Sequence, residues 1–226
     1  MDYSIKEVAH VVNGELTGDD EIMIRHVLTD SRSLLYPADT LFFAIPGKRN
    51  DGHHYIIDLY RQGVQCFVIS YFPDNYREDL PNATFIRVKH VLHALQQLAA
   101  QHRRRFLTPV IGITGSNGKT VVKEWIFQAI HQEKNIVRSP KSYNSQVGVP
   151  LSVCLMDEKH DLAIFEAGIS HPGEMDRLQG MIMPDIGIFT HLGEAHQENF
   201  ATKHEKALEK LQLFRKCRTV IYNRDC

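Results

Sequence analysis

The chain has 226 residues, 43% of them hydrophobic, and a formal net charge of -1. That is enough apolar material for one or two modest cores. The balanced charge, with no clustered basic face, speaks against a nucleic-acid-binding surface. The one basic run, Arg103-Arg104-Arg105, reads as a solvated helix end. Four cysteines, at 66, 154, 217 and 226, form no CxxC pair, so zinc and thiol-redox motifs are unsupported. Cys66 lies in an apolar run and reads as a core thiol. No N-terminal stretch has the form of a secretory signal, and no apolar run approaches the ~18 residues of a membrane span. The expectation is a soluble, reduced, cytoplasmic protein.

Taken in chain order, Ser4-Ile5-Lys6-Glu7 has the form of a capping box, followed by a short helix that Asn13-Gly14 ends. Residues 22–28 and 40–45 read as strands from their β-branched and aromatic content. Residues 54–61 read as a helix stopped by Gly63, and 64–70 and 84–88 as short apolar strands. Residues 91–106 place Leu92, Leu95, Leu98 and Ala99 at helical spacing. Thr108-Pro109 breaks that helix, and a domain boundary is expected near residue 107. Residues 110–114 form an apolar strand that runs into a glycine loop and then a helix over 121–131. Strands follow at 162–165, 186–190 and 219–223, with a short segment around 175–181 and a charged amphipathic helix over 203–216. Alternating strands and helices predict an α/β fold with a parallel sheet. The chain stops just beyond a strand, where such a domain ordinarily supplies a crossover helix, so the second domain is expected to be truncated here and to continue past Cys226.

The chemistry concentrates in Thr114-Gly115-Ser116-Asn117-Gly118-Lys119-Thr120. Backbone N–H groups at a helix N-terminus, together with the helix dipole, make an anion site, and glycine lets the backbone come close to a phosphate. Lys119 is placed to reach the β/γ-phosphates and Thr120 to bind magnesium. The spacing falls short of the full GxxxxGK(S/T) form, because Ile113 occupies the first glycine position. Leu162-Ala163-Ile164-Phe165-Glu166 ends in a carboxylate at the C-terminal end of a strand, where it points into the ligand crevice of a parallel sheet and offers a second magnesium ligand. The plain alternatives are a glycine turn before a helix and a solvated strand-end glutamate.

These segments resemble the Mur ligase family. The loop has that family's TGxxGKT form. Residues 142–151, Ser-Tyr-Asn-Ser-Gln-Val-Gly-Val-Pro-Leu, resemble its NxNNxxGxPL segment. Phe165-Glu166-Ala167-Gly168 followed by Pro172-Gly173-Glu174-Met175 resembles ExG…GE(I/M), and residues 190–198 resemble TNIxxAHxE. Asp30-Ser31-Arg32, residues 42–47 and Asp51-Gly52-His53 resemble the N-terminal domain that holds a UDP sugar. The sequence departs from the pattern at Ser145 and His191, where asparagine is usual, and at Gln212, where glutamate usually follows the reactive lysine by two.

The resemblance implies an ATP-dependent, magnesium-dependent amide ligase working through an acyl phosphate. Its closest motif forms are those of the branch that joins D-alanyl-D-alanine to UDP-N-acetylmuramoyl-tripeptide in peptidoglycan precursor synthesis. Residues 1–107 would bind the UDP-N-acetylmuramoyl peptide and residues 108–226 ATP. A further C-terminal ligase domain is implied after Cys226, without which the chain alone is expected not to complete ligation. Some members of that branch are fused to an alanine racemase. By resemblance, Ser31 and Arg32 contact the UDP moiety, Asn144 the substrate or transferring phosphate, and His196 a second magnesium. Lys210, 14 residues after His196, matches the lysine that carbon dioxide carbamylates. Lys203, Lys206 and Lys216 read as surface lysines of the same charged segment, and Lys210 has that same alternative. Two other readings stay open: another Mur ligase or folylpolyglutamate synthetase, and a P-loop binding protein without ligase activity.

Overall fold

The structure is a computed structural model that describes residues 1–47, 50–193 and 197–224, with Gln197 described by its backbone only. The chain divides into two compact units, Met1–Leu98 and Ala99–Cys226. The division falls ahead of the Thr108-Pro109 break, inside a helix. No helix among the described residues is long and apolar enough to cross a membrane.

The first unit opens with β1 (Tyr3–Ser4) and α1 (Ile5–Val11). Both arms of the capping box are made: Glu7 N donates to Ser4 Oγ at 3.2 Å and Ser4 N to Glu7 Oε2 at 2.7 Å. Then come β2 (Glu15–Thr17), β3 (Met23–Ile24), β4 (His26–Leu28), β5 (Thr40–Phe43), α2 (Ile56–Arg61), β6 (Cys66–Ile69), α3 (Tyr76–Asp79), β7 (Thr84–Arg87) and α4 (Val91–Arg103). The run expected as one strand over 22–28 is split: β3 pairs with β1, and β4 turns to pair with β5. The sheet order is β2-β7-β6-β5-β4, parallel except for β2, which adds antiparallel to β7 at one edge. Phe42, Phe67, Phe85, Ile56 and Leu59 fill its core. Each such side chain contributes about 1.5–3 kcal/mol on burial. Cys66 is part of this sheet, and burial pushes its thiol up to about 12.

The second unit is built from β8 (Val110–Thr114), α5 (Lys119–Ile130), β9 (Ile136–Arg138), α6 (Gly148–Val153), β10 (Leu162–Glu166), α7 (Glu174–Ile182), β11 (Ile186–Phe189), α8 (Lys203–Leu211) and β12 (Thr219–Tyr222). The strands form one parallel sheet in the order β12-β11-β8-β10-β9. This is the α/β fold and parallel sheet expected from the sequence. Ile111, Ile113 and Ile164 form the center of its core. Two elements lie where the sequence offered only loop: the three-residue β9, and the short α6 that carries Pro150 in its first turn. The helix expected over 203–216 is α8 followed by a 3-10 turn, Gln212–Phe214.

Register decides what meets at the sheet's end. Glu166 pairs with Ile113, and Phe189 with Thr114. The C-terminal ends of β8, β10 and β11 therefore emerge side by side, where parallel α/β sheets present their ligand sites.

Candidate active site

The loop after β8 is shaped by two glycines with positive φ, Gly115 at 144° and Gly118 at 83°, the latter serving as N-cap of α5. Gly115 is required by packing as well as by φ: a Cβ there would lie 2.1 Å from Thr190 Oγ1. Residues 190–193 strap the loop in place. Thr190 Oγ1 donates to Asn117 O at 2.6 Å, Ser116 N to His191 O at 2.7 Å and Ser116 Oγ to Gly193 O at 3.1 Å. The Thr114 hydroxyl is turned inward to Ala167 O at 2.8 Å, joining β8 to the segment after β10.

Lys119 Nζ curls over the loop and donates to Gly115 O at 2.9 Å and Ser116 O at 3.1 Å. Burial lowers its pKa, opposed by the Glu166 charge. Lys210 Nζ reaches the same Gly115 carbonyl at 3.1 Å from α8. Lys210 is only 3% exposed, and burial pushes it down to about 8, with the Lys119 and Lys206 charges adding to the effect. Both lysines line a cleft of about 320 Å³ together with Asn144, Ser145, Gly168 and Glu174. Asn144 O accepts from Gly168 N at 2.8 Å, and the Asn144 side chain occupies the space a Cβ on Gly168 would need. Ser145, at the departure from the family pattern, accepts from Gly148 N at 3.1 Å through its Oγ, just ahead of α6.

Thr120 Oγ1 donates to Glu166 Oε2 at 3.0 Å, so the two magnesium candidates meet. Glu166 is wholly buried, and its Oε1 has no hydrogen-bond partner among the described residues. That oxygen lies at ion-pair distance, 2.9 Å, from Lys123 Nζ but out of line for a hydrogen bond. Magnesium takes oxygen ligands. A hydroxyl and a buried, incompletely satisfied carboxylate beside a phosphate-type loop fit that requirement. His196, the other metal candidate, lies outside the described residues.

In the first unit, Ser31 and Arg32 line a cleft of about 300 Å³ with Thr29, Asp30, Asn50 and Tyr55. Asp30 caps the 3-10 turn Ser31–Ser33 through Arg32 N at 3.1 Å. Arg32 sends Nε and Nη2 to the two Asp30 oxygens at 2.9 and 2.7 Å. That contact holds the Asp30 carboxyl below its ordinary range.

Two cations, Arg103 and Lys206, differ from their sequence reading, and a third, Lys123, had none. Arg103 is not a solvated helix end: it is 6% exposed and donates to the carbonyls of Ile182, Met183 and Phe106. The end of α7, where Met183 has φ 44°, leaves carbonyls that need donors. Lys206 is not a surface lysine but 1% exposed, with Nζ donating to Gly193 O at 2.7 Å. Lys123, not singled out in the sequence, is fully buried beside Glu166. Its only sequence signal is its place three residues after Thr120, on the same helix face.

Residues 113–226 match the family model described as "Mur ligase middle domain", and residues 23–103 match "Mur ligase family, catalytic domain". The chain is 32% identical over 212 residues to the UDP-N-acetylmuramoyl-tripeptide–D-alanyl-D-alanine ligase of Bacillus subtilis, covering 93% of this chain and 45% of that one. The chain thus spans about half the length of the curated relatives it matches. A crystal structure of MurF from Acinetobacter baumannii shares the fold, with a TM-score of 0.88 at 23% identity over 99% of this chain and 49% of the other. MurF ligase from Thermotoga maritima in complex with ADP gives a TM-score of 0.76 at 25% identity, over 89% of this chain and 46% of that one. The phosphate-type loop, the threonine–carboxylate pair, the converging lysines and these matches lead to one conclusion: the chain belongs to the Mur ligase family.

Proposed function

We propose that this chain carries the UDP-sugar and ATP sites of an ATP-dependent ligase that joins D-alanyl-D-alanine to UDP-N-acetylmuramoyl-tripeptide. The observation that carries the reading is the convergence of Lys119, Lys210 and the Thr120–Glu166 pair at one end of the parallel sheet. The names of the relatives support the substrates, and the ADP bound by the Thermotoga maritima neighbor supports the nucleotide. In this reading, residues 1–107 bind the UDP-N-acetylmuramoyl peptide and residues 108–226 bind ATP. A nucleotide-linked acceptor and ATP put the reaction in the cytoplasm.

A free carboxylate has no good leaving group, so the reaction runs in two steps. The peptide carboxylate attacks the γ-phosphorus of ATP, forming an acyl phosphate and releasing ADP. The amine of D-alanyl-D-alanine then attacks the acyl carbon, the amide forms, phosphate leaves with the bonding pair and the amine gives up a proton. The chain contributes positioning and charge neutralization, the main terms in phosphoryl transfer. Lys119 exchanges two loop carbonyls for β/γ-phosphate oxygens, and the loop N–H groups at the start of α5 receive the others. Thr120 and Glu166 would hold magnesium, which supplies countercharge for the phosphates. Asn144, at the cleft wall, orients the carboxylate or the transferring phosphate. Ser31 and Arg32 serve the UDP moiety, since an arginine fork suits phosphate. Lys210 is the carbamylation site. Only a neutral amine adds to carbon dioxide, and a lysine held near 8 supplies far more of that form at neutral pH than an ordinary one.

The test supplies ATP, magnesium, UDP-N-acetylmuramoyl-tripeptide and D-alanyl-D-alanine to the intact protein and follows pentapeptide and phosphate together. Equal amounts of both are expected. Phosphate release that ignores the UDP substrate, with no pentapeptide, would overturn the reading.

A further inference from the structure

Lys123 sits within α5, 0% exposed, where a charge is costly unless it is matched by partners. A fold needing only a filled space there would be served as well by an apolar side chain. The partners of Lys123 instead surround the inner side of the Glu166 carboxylate. Nζ donates to Ser139 O at 2.7 Å and to Lys141 O, and stands 2.9 Å from Glu166 Oε1 and 3.2 Å from Glu124 Oε1. Ser139 closes the ring, its Oγ accepting from Glu166 N at 3.2 Å. The carboxylate is thereby divided. Oε1 faces Lys123 at the back, and Oε2 faces Thr120 Oγ1 at the front. Thr120 and Lys123, three apart on one helix face, hold the two oxygens from opposite sides.

We propose that Lys123 is a positioning residue for magnesium–nucleotide binding, fixing the Glu166 carboxylate so that Oε2 stays beside Thr120. The inference rests on the proposed ATP site. It assigns Lys123 no contact with the nucleotide: its action passes entirely through Glu166. Partners that orient a metal's ligands typically change metal affinity by roughly 10- to 100-fold when removed.

The experiment measures ADP binding by calorimetry, with and without magnesium, in the full chain and in Lys123→Met, Glu166→Gln and the double variant. Magnesium should strengthen ADP binding to the unaltered protein, and Lys123→Met should cut that gain by roughly 10-fold or more. ADP affinity without magnesium should change less than twofold. The double variant should match Glu166→Gln alone, because with the carboxylate gone there is nothing left to position. A magnesium gain in Lys123→Met within twofold of the unaltered protein would overturn the inference. So would a further 10-fold loss in the double variant relative to Glu166→Gln, which would make Lys123 a general clip for residues 139–141. If Lys123→Met alone fails to fold because Glu166 is left uncompensated, the comparison of Glu166→Gln with the double variant decides by the same criterion. An unaltered protein that binds no ADP would instead remove the proposed ATP site itself.

Discussion

Replacing Lys210 with methionine should stabilize the protein at neutral pH while removing a group the proposed reaction needs. Burial, with Lys119 and Lys206 nearby, lowers Lys210 from the ordinary 10.5 to about 8. Below pH 8 the lysine is charged in both folded and unfolded chains, and the difference costs folding about 3 kcal/mol. Between pH 8 and 10.5 the folded chain has released the proton while the unfolded chain keeps it. The unfolded state then binds more protons, so this group makes stability rise with pH across that window. The Nζ bond to Gly115 O returns about 1 kcal/mol, which the variant forfeits. Lys210→Met should therefore be more stable than the unaltered protein by about 2 kcal/mol at pH 7, with the advantage gone by pH 10.5. Urea denaturation of both proteins at pH 7, 9 and 10.5 measures this. A variant less stable at pH 7, or a stability difference independent of pH, would show that Lys210 carries no such burial cost.

Other expectations follow from single contacts. Gly115→Ala should cost about 1–3 kcal/mol from its positive φ, and more from the clash with Thr190 Oγ1, so adding Thr190→Ala should return part of the loss in thermal unfolding. Arg103→Met should cost about 1–3 kcal/mol, because it strips a buried donor from the Ile182 carbonyl; a change under half a kcal/mol in urea denaturation would contradict this. Arg32→Ala, at a residue whose side chain is 87% exposed, should leave stability within about 0.5 kcal/mol. The same variant should weaken UDP-sugar binding in calorimetry, and unchanged affinity would remove Arg32 from the proposed UDP site.

The phosphate-type loop was legible because its signals are local. An apolar strand, two glycines, Lys-Thr and a helix stand in a row, and Glu166 ends a strand. Parallel register then brings Glu166 level with Ile113 without further instruction. What escaped was long-range. Lys123, Lys206 and Arg103 each sit on or at the end of a charged or amphipathic helix, where a cation reads as solvated. Their burial is set by carbonyls 13 to 80 residues away, which one-dimensional spacing does not display. The split of residues 22–28 into β3 and β4 is of the same kind, since two different partner strands divide one apolar run. Thr190 was visible only as part of a motif. Its work in clamping the loop, and the need it creates for glycine at 115, belongs to packing.

Lys119 and the loop around it form the proposed nucleotide phosphate site. Its most direct test is calorimetric titration of ADP, with magnesium, into the full chain and into Lys119→Ala. Among the described residues, Lys119 Nζ donates to the Gly115 and Ser116 carbonyls of its own loop, so the variant should fold with nearly unchanged thermal stability. Lys119→Ala should lose ADP affinity by roughly 10-fold or more, the scale of one charge-assisted phosphate contact. A well-folded Lys119→Ala that binds ADP as tightly as the unaltered chain would contradict it.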